Sequence, residues 1–363
     1  MLPMIKRYFV CANSSQGFIS FFQENLNELN KVFILKGGPG TGKSTLMKRI
    51  GNHFYNLGYD VDYIHCSSDV NSLDGIIIPK LSVGIVDGTA PHVIEPTAPG
   101  AIEQYVNLGI AWDLDYLAKF TDLILTNKKI IANSYSTLYK EYADALTIHD
   151  EWEKIYIHEM DFKKAEAFKQ LVCDTLVNYP PVNHQGTTKH RFFGASTPTG
   201  SVDFINQLTE SLEKRYFIKG RPGSGKSTLM KAIAAKAEKL GYDVEIYHCS
   251  FDPKSLDMVL IPDLKICFFD STAPHEYFPT KETDEVIDTY KAFIKPGTDE
   301  ANEVQLTQIA SNYKDTVGRG VAALQVAKNA HAELEKIYIE ATNFEIIDAF
   351  YEQIKHEIEK LID

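Results

Sequence analysis

The sequence predicts an α/β protein in which one folding unit is repeated in tandem. When Gly37 is placed on Gly220, KGGPGTGKSTLMK aligns with KGRPGSGKSTLMK, LGYDVDYIHCSSD with LGYDVEIYHCSFD, and DGTAPH with DSTAPH. Both copies place a short apolar run before a glycine-rich loop and a helical pattern of apolar residues after it. A strand, a helix and a strand joined by short connections favour parallel pairing with a right-handed crossover. These three observations together predict a duplicated α/β fold.

The repeat extends on both sides of these segments and sets the domain boundaries. Residues 17–96 align with residues 200–279 without a gap. Upstream, a slip of one residue places Arg7-Tyr8-Phe9 on Arg191-Phe192-Phe193, and downstream a slip of one residue in the other direction places HDEWEKIYIHEMDF on HAELEKIYIEATNF. A chain of 363 residues suits two domains of ordinary size. We therefore predict domains at residues 1–178 and 191–363, joined by a polar, proline-bearing linker at 179–190.

Hydrophobic periodicity places the elements within the first copy. It predicts helices over residues 17–29 and 43–57, and buried strands over residues 32–35, 61–65 and 83–86. The remainder is mainly helical and is expected to form an arm, whose EKIYI segment packs on its own α/β core. Each copy is thus predicted to be a three-layer α/β/α sandwich with a helical C-terminal arm. Duplication also suggests that the copies face each other about a pseudo-twofold axis, a pseudo-dimer within one chain.

Composition argues against nucleic acid and membrane as partners. The net charge of −12 disfavours nucleic acid, and arginine is scarce for a polyanion-binding surface. There is no apolar run long enough to span a bilayer and no apolar core of a secretory signal, so we expect a cytoplasmic protein with no membrane partner. Five scattered cysteines without a CxxC pair indicate free thiols rather than a disulfide framework.

The glycine-rich loops carry the strongest chemical signal. Residues 37–44 and 220–227 both match GxxxxGK[ST], a pattern in which glycines let successive backbone N–H groups wrap a phosphate chain at the start of a helix. Lys43 and Lys226 are predicted to reach the β- and γ-phosphates, and Ser44 and Ser227 to supply hydroxyl ligands to Mg²⁺. The predicted nucleotide-binding residues are Gly37, Gly38, Gly40, Thr41, Gly42, Lys43, Ser44 and Thr45 in the first copy, and Gly220, Arg221, Gly223, Ser224, Gly225, Lys226, Ser227 and Thr228 in the second.

With these two motifs the chain resembles the P-loop NTPase superfamily. More narrowly, it is similar to the bacterial tandem P-loop ATP-binding proteins that are described only as predicted ATPases. The resemblance covers essentially the whole chain. It implies the fold, a nucleotide and Mg²⁺, with ATP expected and GTP left open, and it does not imply a substrate.

A second acidic position follows an apolar strand in each copy. Asp87 ends VGIVD and Asp270 ends ICFFD, and either can complete the Mg²⁺ site or merely begin a turn; we favour the metal role. The next residue is Gly88 or Ser271, where many strong ATPase motors of this superfamily have a catalytic glutamate. Another carboxylate must then position the attacking group. The candidates are Asp69 and Asp252, for which the alternative is the N-cap of a short helix.

Other residue pairs recur in both copies, and each has two interpretations. His65-Cys66 and His248-Cys249 form metal or nucleophile dyads, or, as we favour, hydrogen-bonded histidines beside packed cysteines. His92 and His275 sense a γ-phosphate or decorate a turn. Arg7 and Arg191 are arginine fingers or salt bridges, Tyr8 and Phe192 stack on adenine or pack in a strand, and the pairs His149/Glu153 and His331/Glu335 are favoured as solvated or interhelical contacts.

Three functional hypotheses follow. The leading one is a Mg²⁺-dependent ATPase whose nucleotide state controls the arrangement of its two halves, with Lys43, Lys226, Asp69 and Asp252 as catalytic residues. The second is a P-loop kinase that transfers the γ-phosphate to a small molecule or nucleotide. The third is a non-enzymatic, ATP-gated module that binds another protein. The partner beyond the nucleotide, whether small molecule or protein, is not identified by the sequence.

Overall fold

The structure is a computed structural model that describes residues 3–180 and 182–362, so Pro181 of the predicted linker lies outside the described residues. The first half contains β1 (Ile5–Tyr8), β2 (Cys11–Ser14), β3 (Gly17–Ser20), α1 (Phe22–Leu26), β4 (Lys31–Lys36), α2 (Lys43–Asn56), β5 (Val61–His65), β6 (Leu73–Ile78), β7 (Val83–Asp87), β8 (Glu103–Asn107), α3 (Leu114–Ala118), α4 (Thr121–His158) and α5 (Phe162–Thr175).

The second half repeats this order. It contains β9 (Thr188–Phe192), β10 (Gly194–Thr197), β11 (Gly200–Asp203), α6 (Ile205–Thr209), β12 (Lys214–Lys219), α7 (Lys226–Lys239), β13 (Val244–His248), β14 (Leu256–Ile261), β15 (Ile266–Asp270), β16 (Glu285–Asp288), α8 (Thr289–Phe293), α9 (Thr298–Ala301), α10 (Glu303–Glu340) and α11 (Phe344–Glu359). Short 3₁₀ turns lie at Pro79–Leu81, Leu108–Ala111, Leu176–Asn178 and Pro262–Leu264. Because β9 begins at Thr188, the predicted linker of residues 179–190 extends too far.

Two six-stranded sheets with the same topology confirm a duplicated α/β fold. Their strand orders are β1-β5-β6-β7-β4-β8 and β9-β13-β14-β15-β12-β16. All neighbours pair in parallel except those of β6 and β14, which run antiparallel to both of their neighbours. The predicted helix over residues 43–57 and the strands over 61–65 and 83–86 are present. The antiparallel strand was not predicted from the sequence.

The predicted helix over residues 17–29 is wrong at its start. Residues 17–20 form β3, which pairs with β2 in a hairpin, and only Phe22–Leu26 is helical. Phe18 from the strand and Phe22 and Leu26 from the helix nevertheless face one core. The apolar residues of a strand and of the helix after it therefore have the spacing expected of one helix, which explains the wrong prediction.

The inner faces of the two sheets share one hydrophobic core. That core joins Val32, Ile34 and Val86 of the first sheet to Phe217 and Phe269 of the second. The short helices α1 and α6 lie in the same layer, and α1 contacts β9 while α6 contacts β1. The predicted three layers are therefore not repeated as two separate sandwiches.

Strand pairing shows that the amino-terminal strands of the two copies keep the register of the glycine-rich loops. Arg7 pairs with Tyr63 in the first sheet, and His190 pairs with Ile246 in the second. Since Tyr63 aligns with Ile246 in the ungapped part of the repeat, Arg7 corresponds to His190. The slip of one residue predicted upstream is wrong. Such a slip turns a side chain to the opposite face of a sheet, so Arg7 and Arg191 lie in different environments.

The helical arms are exchanged between the halves. Helix α5 contacts α7, and α11 contacts α2, so each half is covered by the terminal helix of the other. The long helices α4 and α10 pack against each other in antiparallel directions, because Trp112 before α4 bridges to Thr342 after α10. Tyr338 of the second EKIYI segment lies against Gly38 of the first loop, and Glu153 of the first segment lies against Gly223 of the second loop, so the expectation that each segment packs on its own core is wrong. Among the described residues, no helix combines the length and apolar character needed to cross a membrane.

Candidate functional site

Each glycine-rich loop joins a strand to the first turn of a helix. Residues 37–44 connect β4 to α2, and residues 220–227 connect β12 to α7. Gly40 and Gly42 have φ angles of +69° and +85°, and their equivalents Gly223 and Gly225 have +71° and +88°. Only glycine adopts these angles without strain. Gly42 and Gly225 cap their helices without a side-chain hydrogen bond, so the loops direct backbone N–H groups outward from a helix start.

A lysine and an aspartate approach each other at both loops. Lys43 Nζ lies 3.6 Å from Asp87 Oδ2, and Lys226 Nζ lies 3.6 Å from Asp270 Oδ2. Lys43 also donates to the carbonyl of Gly37 at 2.9 Å. The lysines therefore fold back over their own loops toward the carboxylates that the sequence singled out.

The other carboxylate oxygen of Asp87 and of Asp270 begins a turn, as the alternative interpretation of these residues predicted. Asp87 Oδ1 accepts from the N–H of Thr89 at 2.8 Å, and Asp270 Oδ1 accepts from the N–H of Thr272 at 2.9 Å. One carboxylate oxygen thus begins a turn while the other faces the lysine. The turn does not exclude a metal role.

The serines that follow the lysines lie at the start of the antiparallel strands. Ser44 Oγ accepts from the N–H of Leu73 at 3.0 Å, and Ser227 Oγ accepts from the N–H of Leu256 at 3.0 Å. Each hydroxyl keeps its hydrogen and its second lone pair for another partner. The fold therefore brings the predicted lysine, serine and aspartate to one edge of each sheet.

Asp69 and Asp252 cap turns, and these turns lead into strands. Asp69 Oδ2 accepts from Ser72 Oγ at 3.0 Å, and Asp252 Oδ2 accepts from Ser255 Oγ at 2.8 Å. The chain then enters β6 or β14, so the predicted alternative of a helix N-cap is wrong. The remaining oxygens have different partners. Asp69 Oδ1 lies 3.7 Å from Lys328 Nζ, whereas Asp252 Oδ1 accepts from Gln16 Nε2 at 3.4 Å.

Each loop is in contact with the long helix of the other half. A methyl group added to Gly40 would lie 2.7 Å from the carbonyl oxygen of Glu335, and one added to Gly223 would lie 2.7 Å from that of Glu153. The N–H of Gly223 donates to Glu153 Oε1 at 3.2 Å. Glu153 and Glu335, one member of each recurring His/Glu pair, thus reach the loops of the opposite halves. Sequence reasoning missed this role, although the recurrence of both pairs was visible.

Charge also links α4 to the second loop. Burial lowers the pKa of His149, and the charge of Lys226 lowers it further, while Glu153 and Asp252 oppose the change. A histidine from the first half is therefore part of the electrostatic environment of a lysine in the second. Each candidate site is built from both halves of the chain.

Asp74 and Asp257 complete the edge of each sheet and were not singled out from the sequence. Gly75 pairs with Val86, so Asp74 faces Asp87 on the neighbouring strand. Burial and the nearby Asp270 raise the pKa of Asp257 to about 7. The signal that could have found them is the tripeptide Ser-Leu-Asp, which recurs at residues 72–74 and 255–257.

Arg191, Tyr8 and Phe192 lie away from the loops. Arg191 is buried, its Nη1 lies 2.7 Å from Glu245 Oε2, and its guanidinium stacks 3.8 Å from the centre of the Tyr8 ring. Tyr8 and Phe192 are each 1 % exposed. The arginine-finger interpretation of Arg191 and the adenine-stacking interpretation of the two aromatic residues are therefore wrong. Arg7 instead contacts His65, with Nη1 3.0 Å from Nε2.

His65 and His248 are hydrogen-bonded structural groups. His65 Nδ1 lies 2.7 Å from the carbonyl oxygen of Val70, and His248 Nδ1 lies 2.7 Å from that of Pro253. Burial lowers the pKa of both histidines to about 4. The sulfur of the neighbouring Cys66 lies within 4.8 Å of a carboxylate oxygen of Asp74. In the second half, burial and the nearby Asp257 carboxyl raise the pKa of the Cys249 thiol.

No protein-family model, curated protein or solved structure matches this chain. Fold alone does not define function, which depends on the geometry of these two sites.

Proposed function

We propose that each half binds Mg²⁺ and ATP at its glycine-rich loop and that the chain hydrolyses the nucleotide. The observation that carries this proposal is the 3.6 Å approach of the loop lysine to the strand-ending aspartate, present in both halves. A P-loop site needs these two groups beside a helix start. The lysine and the aspartate are both kept in two copies whose sequences have diverged, which supports a role that both sites require.

The side chains present suit a hard divalent cation. Asp87 Oδ2 and Ser44 Oγ are oxygen donors at one sheet edge, as are Asp270 Oδ2 and Ser227 Oγ, and Mg²⁺ prefers such ligands. When bound, Mg²⁺ neutralises charge that develops on the transferred phosphoryl group. The remaining work is done by the loop amides, which hold the phosphates in place, and by the lysine, which moves from the carbonyl of Gly37 to a phosphate oxygen.

Asp69 and Asp252 are the proposed groups that orient the attacking water. Each is fixed by a seryl hydroxyl through Oδ2. To bind the water, Oδ1 exchanges its present neighbour, Lys328 at Asp69 and Gln16 at Asp252. Lys328 lies beside Asp69 only, and the residue at the corresponding position of α4 is Leu146. We therefore propose that the two sites turn over at different rates.

The exchanged helices provide a physical route by which nucleotide state alters the arrangement of the halves. The carboxylate of Glu153 accepts a hydrogen bond from the N–H of Gly223. The motif predicts that this N–H binds phosphate. A phosphate and a carboxylate repel each other, so nucleotide binding moves the Glu153 side chain and shifts α4. Because α4 packs along α10, whose residue Glu335 contacts the first loop, each site is coupled to the other.

Binding and turnover of the two lysine variants test the proposal. Calorimetry with Mg²⁺·ATP should give two bound nucleotides for the unaltered chain, one for Lys43→Ala and none for the double variant with Lys226→Ala. Lys239→Ala, an exposed change at the far end of α7, is the matched control. Labelled γ-phosphate should appear as inorganic phosphate with the unaltered chain and with Lys239→Ala, but not with the double variant. Equal heat from the double variant would overturn binding, and label on another acceptor would replace hydrolysis by transfer.

A further inference from the structure

Cys66, Asp74 and His92 form a compact cluster in the first half. The sulfur, one carboxylate oxygen and one ring nitrogen all lie within 4.8 Å of one another. Asp74 is 4 % exposed, His92 is 8 % exposed and Cys66 is half-buried. The three residues follow β5, begin β6 and follow β7, so the topology of the sheet brings them together.

The hydrogen bonds of this cluster leave two acceptors facing each other. Cys11 donates its one hydrogen to Ser20 Oγ at 3.4 Å, so its sulfur accepts from His92 Nδ1, also at 3.4 Å. With its hydrogen on Nδ1, the imidazole directs the Nε2 lone pair at Asp74 Oδ2, 3.3 Å away. Asp74 Oδ2 is buried and has no hydrogen-bond donor among the residues that the structure describes. A buried carboxylate oxygen of this kind needs a partner that the described side chains do not supply, and a metal ion is one such partner.

The position of Cys66 favours a metal ion over a proton. A proton shared by Asp74 and His92 would involve those two groups alone, whereas a metal ion would also use the adjacent sulfur. A sulfur, a nitrogen and a carboxylate oxygen are together a ligand set for zinc, and three protein ligands leave one position open. Cys11 then orients the ligating imidazole through its other nitrogen, as outer partners do in metal sites.

We propose that Cys66 Sγ, Asp74 Oδ2 and His92 Nε2 bind a zinc-like transition-metal ion in the first half of the chain. The site lies beside Asp87 but uses none of the residues of the glycine-rich loop. Binding of this ion deprotonates the Cys66 thiol and releases its proton to solvent. The site is additional to the proposed nucleotide sites and does not depend on them.

The second half retains the same residue types but not the same arrangement. His275 Nδ1 lies 2.7 Å from Asp203 Oδ2, and Nε2 lies 3.2 Å from Ser201 Oγ, so both ring nitrogens have partners away from Asp257. Asp203 occupies the position that corresponds to Ser20. Within the described part of the chain, the first half alone has an imidazole directed at its buried aspartate. The stoichiometry follows as one ion per chain.

Titration of the metal-free, nucleotide-free chain with Co²⁺ in excess Mg²⁺ tests the site. We expect one equivalent to bind, with a near-ultraviolet band from charge transfer between thiolate and cobalt, and Zn²⁺ to displace it. Cys66→Ser should abolish the band and weaken binding by about tenfold or more. Cys249→Ser, the corresponding change in the second half, should leave both unchanged.

A second variant keeps the test decisive if Cys66→Ser does not fold. Ser20→Asp places the second half's carboxylate beside His92, so it should turn the imidazole away from Asp74 and remove Co²⁺ binding while the thermal unfolding transition persists. The proposal is overturned by a chain that gives no saturable band, by two equivalents per chain, or by a band that survives Cys66→Ser. Because nucleotide is absent throughout, none of these outcomes depends on ATP binding.

Discussion

Phe9 and Phe192 meet in an antiparallel β-bridge in which the N–H of Phe192 donates to the carbonyl oxygen of Phe9 at 2.8 Å. Phe192 is the equivalent of Phe9 in the register that relates the halves. Two equivalent residues that are in contact must lie on the pseudo-twofold axis that relates the two halves. Their surroundings repeat in the same way. Phe9 stacks on Phe204 at 5.3 Å and Phe192 stacks on Phe21 at 4.8 Å. The relation between the halves is therefore fixed at this bridge.

Replacing Phe9 by alanine should destabilise the whole chain, because Phe9 is 1 % exposed and removal of its ring leaves a cavity between the halves. We expect the free energy of unfolding to fall by about 3–5 kcal/mol, measured by urea denaturation. Phe278→Ala, at a residue that is 64 % exposed, should cost less than about 0.5 kcal/mol. Equal losses of unfolding free energy in the two variants would contradict the importance of the Phe9 side chain at this bridge.

Replacing Ile354 by alanine should weaken the first half, although Ile354 belongs to the last helix of the chain. Ile354 is 1 % exposed and packs in one cluster with Leu46 and Ile50 of α2. We expect a loss of about 2–5 kcal/mol in unfolding free energy. Hydrogen exchange should show earlier loss of protection in α2 than in α7. The opposite order would contradict the exchange of the arms.

The features predicted from the sequence are those set by local pattern. The helix at Lys43 and the strand ending at Asp87 follow from periodicity and from the loop, and parallel strands bring their ends to one edge. The convergence of these two residues could therefore be predicted without a structure. Strand β6 could not, since all six of its residues are buried and its sequence shows no alternation that distinguishes a strand direction.

The exchange of the arms lies beyond what one sequence can predict. The two cores are near copies, so an apolar helix face that fits one fits the other, and only the geometry of the connections selects between them. The upstream register failed for a related reason. The match of Arg7-Tyr8-Phe9 to Arg191-Phe192-Phe193 compares residue types, whereas register is fixed by backbone partners such as Tyr63 and Ile246.

Stability should fall as the pH is lowered through the range set by the two buried histidines. Burial lowers the pKa of His65 and His248 to about 4, while in the unfolded chain each has a pKa of about 6.5. Between these values the unfolded state binds more protons, so stability is complete above about pH 6.5 and is lost progressively toward about pH 4. The loss is at most about 3 kcal/mol per histidine.

Urea denaturation at several values between about pH 7.5 and 4.5 measures this dependence. The double variant His65→Asn and His248→Asn keeps a donor toward the carbonyls of Val70 and Pro253 but cannot titrate. Its stability should therefore fall less steeply with acid than that of the unaltered chain. Identical slopes would show that the histidines are protonated equally in both states.

Removing the negative charge of Glu153 should strengthen nucleotide binding in the second half, although Glu153 belongs to the first. Its Oε1 accepts from the N–H of Gly223 at 3.2 Å, so a phosphate must displace a like charge to reach that amide. Glu153→Gln keeps the shape and the acceptor but not the charge. Because the side chain is partly exposed, we expect a gain of about 1 kcal/mol, which is about a fivefold lower Kd.

Calorimetry in the Lys43→Ala background, where only the second site binds, isolates this effect. Glu335→Gln is the matched control, since Glu335 contacts Gly40 in the first loop and should change binding at the second site less than Glu153→Gln does. In the Lys226→Ala background the comparison reverses: Glu153→Gln then acts on the occupied first site only indirectly, through the packing of α4 on α10. Weaker binding by Glu153→Gln in the Lys43→Ala background would mean that the carboxylate assists the nucleotide, and the proposed repulsion would be wrong. If the exchanged helices couple the sites, Glu153→Gln should tighten nucleotide binding in the Lys43→Ala background and change it less in the Lys226→Ala background. The Glu153 side chain touches only the second loop, so it can affect the first loop only by moving its helix.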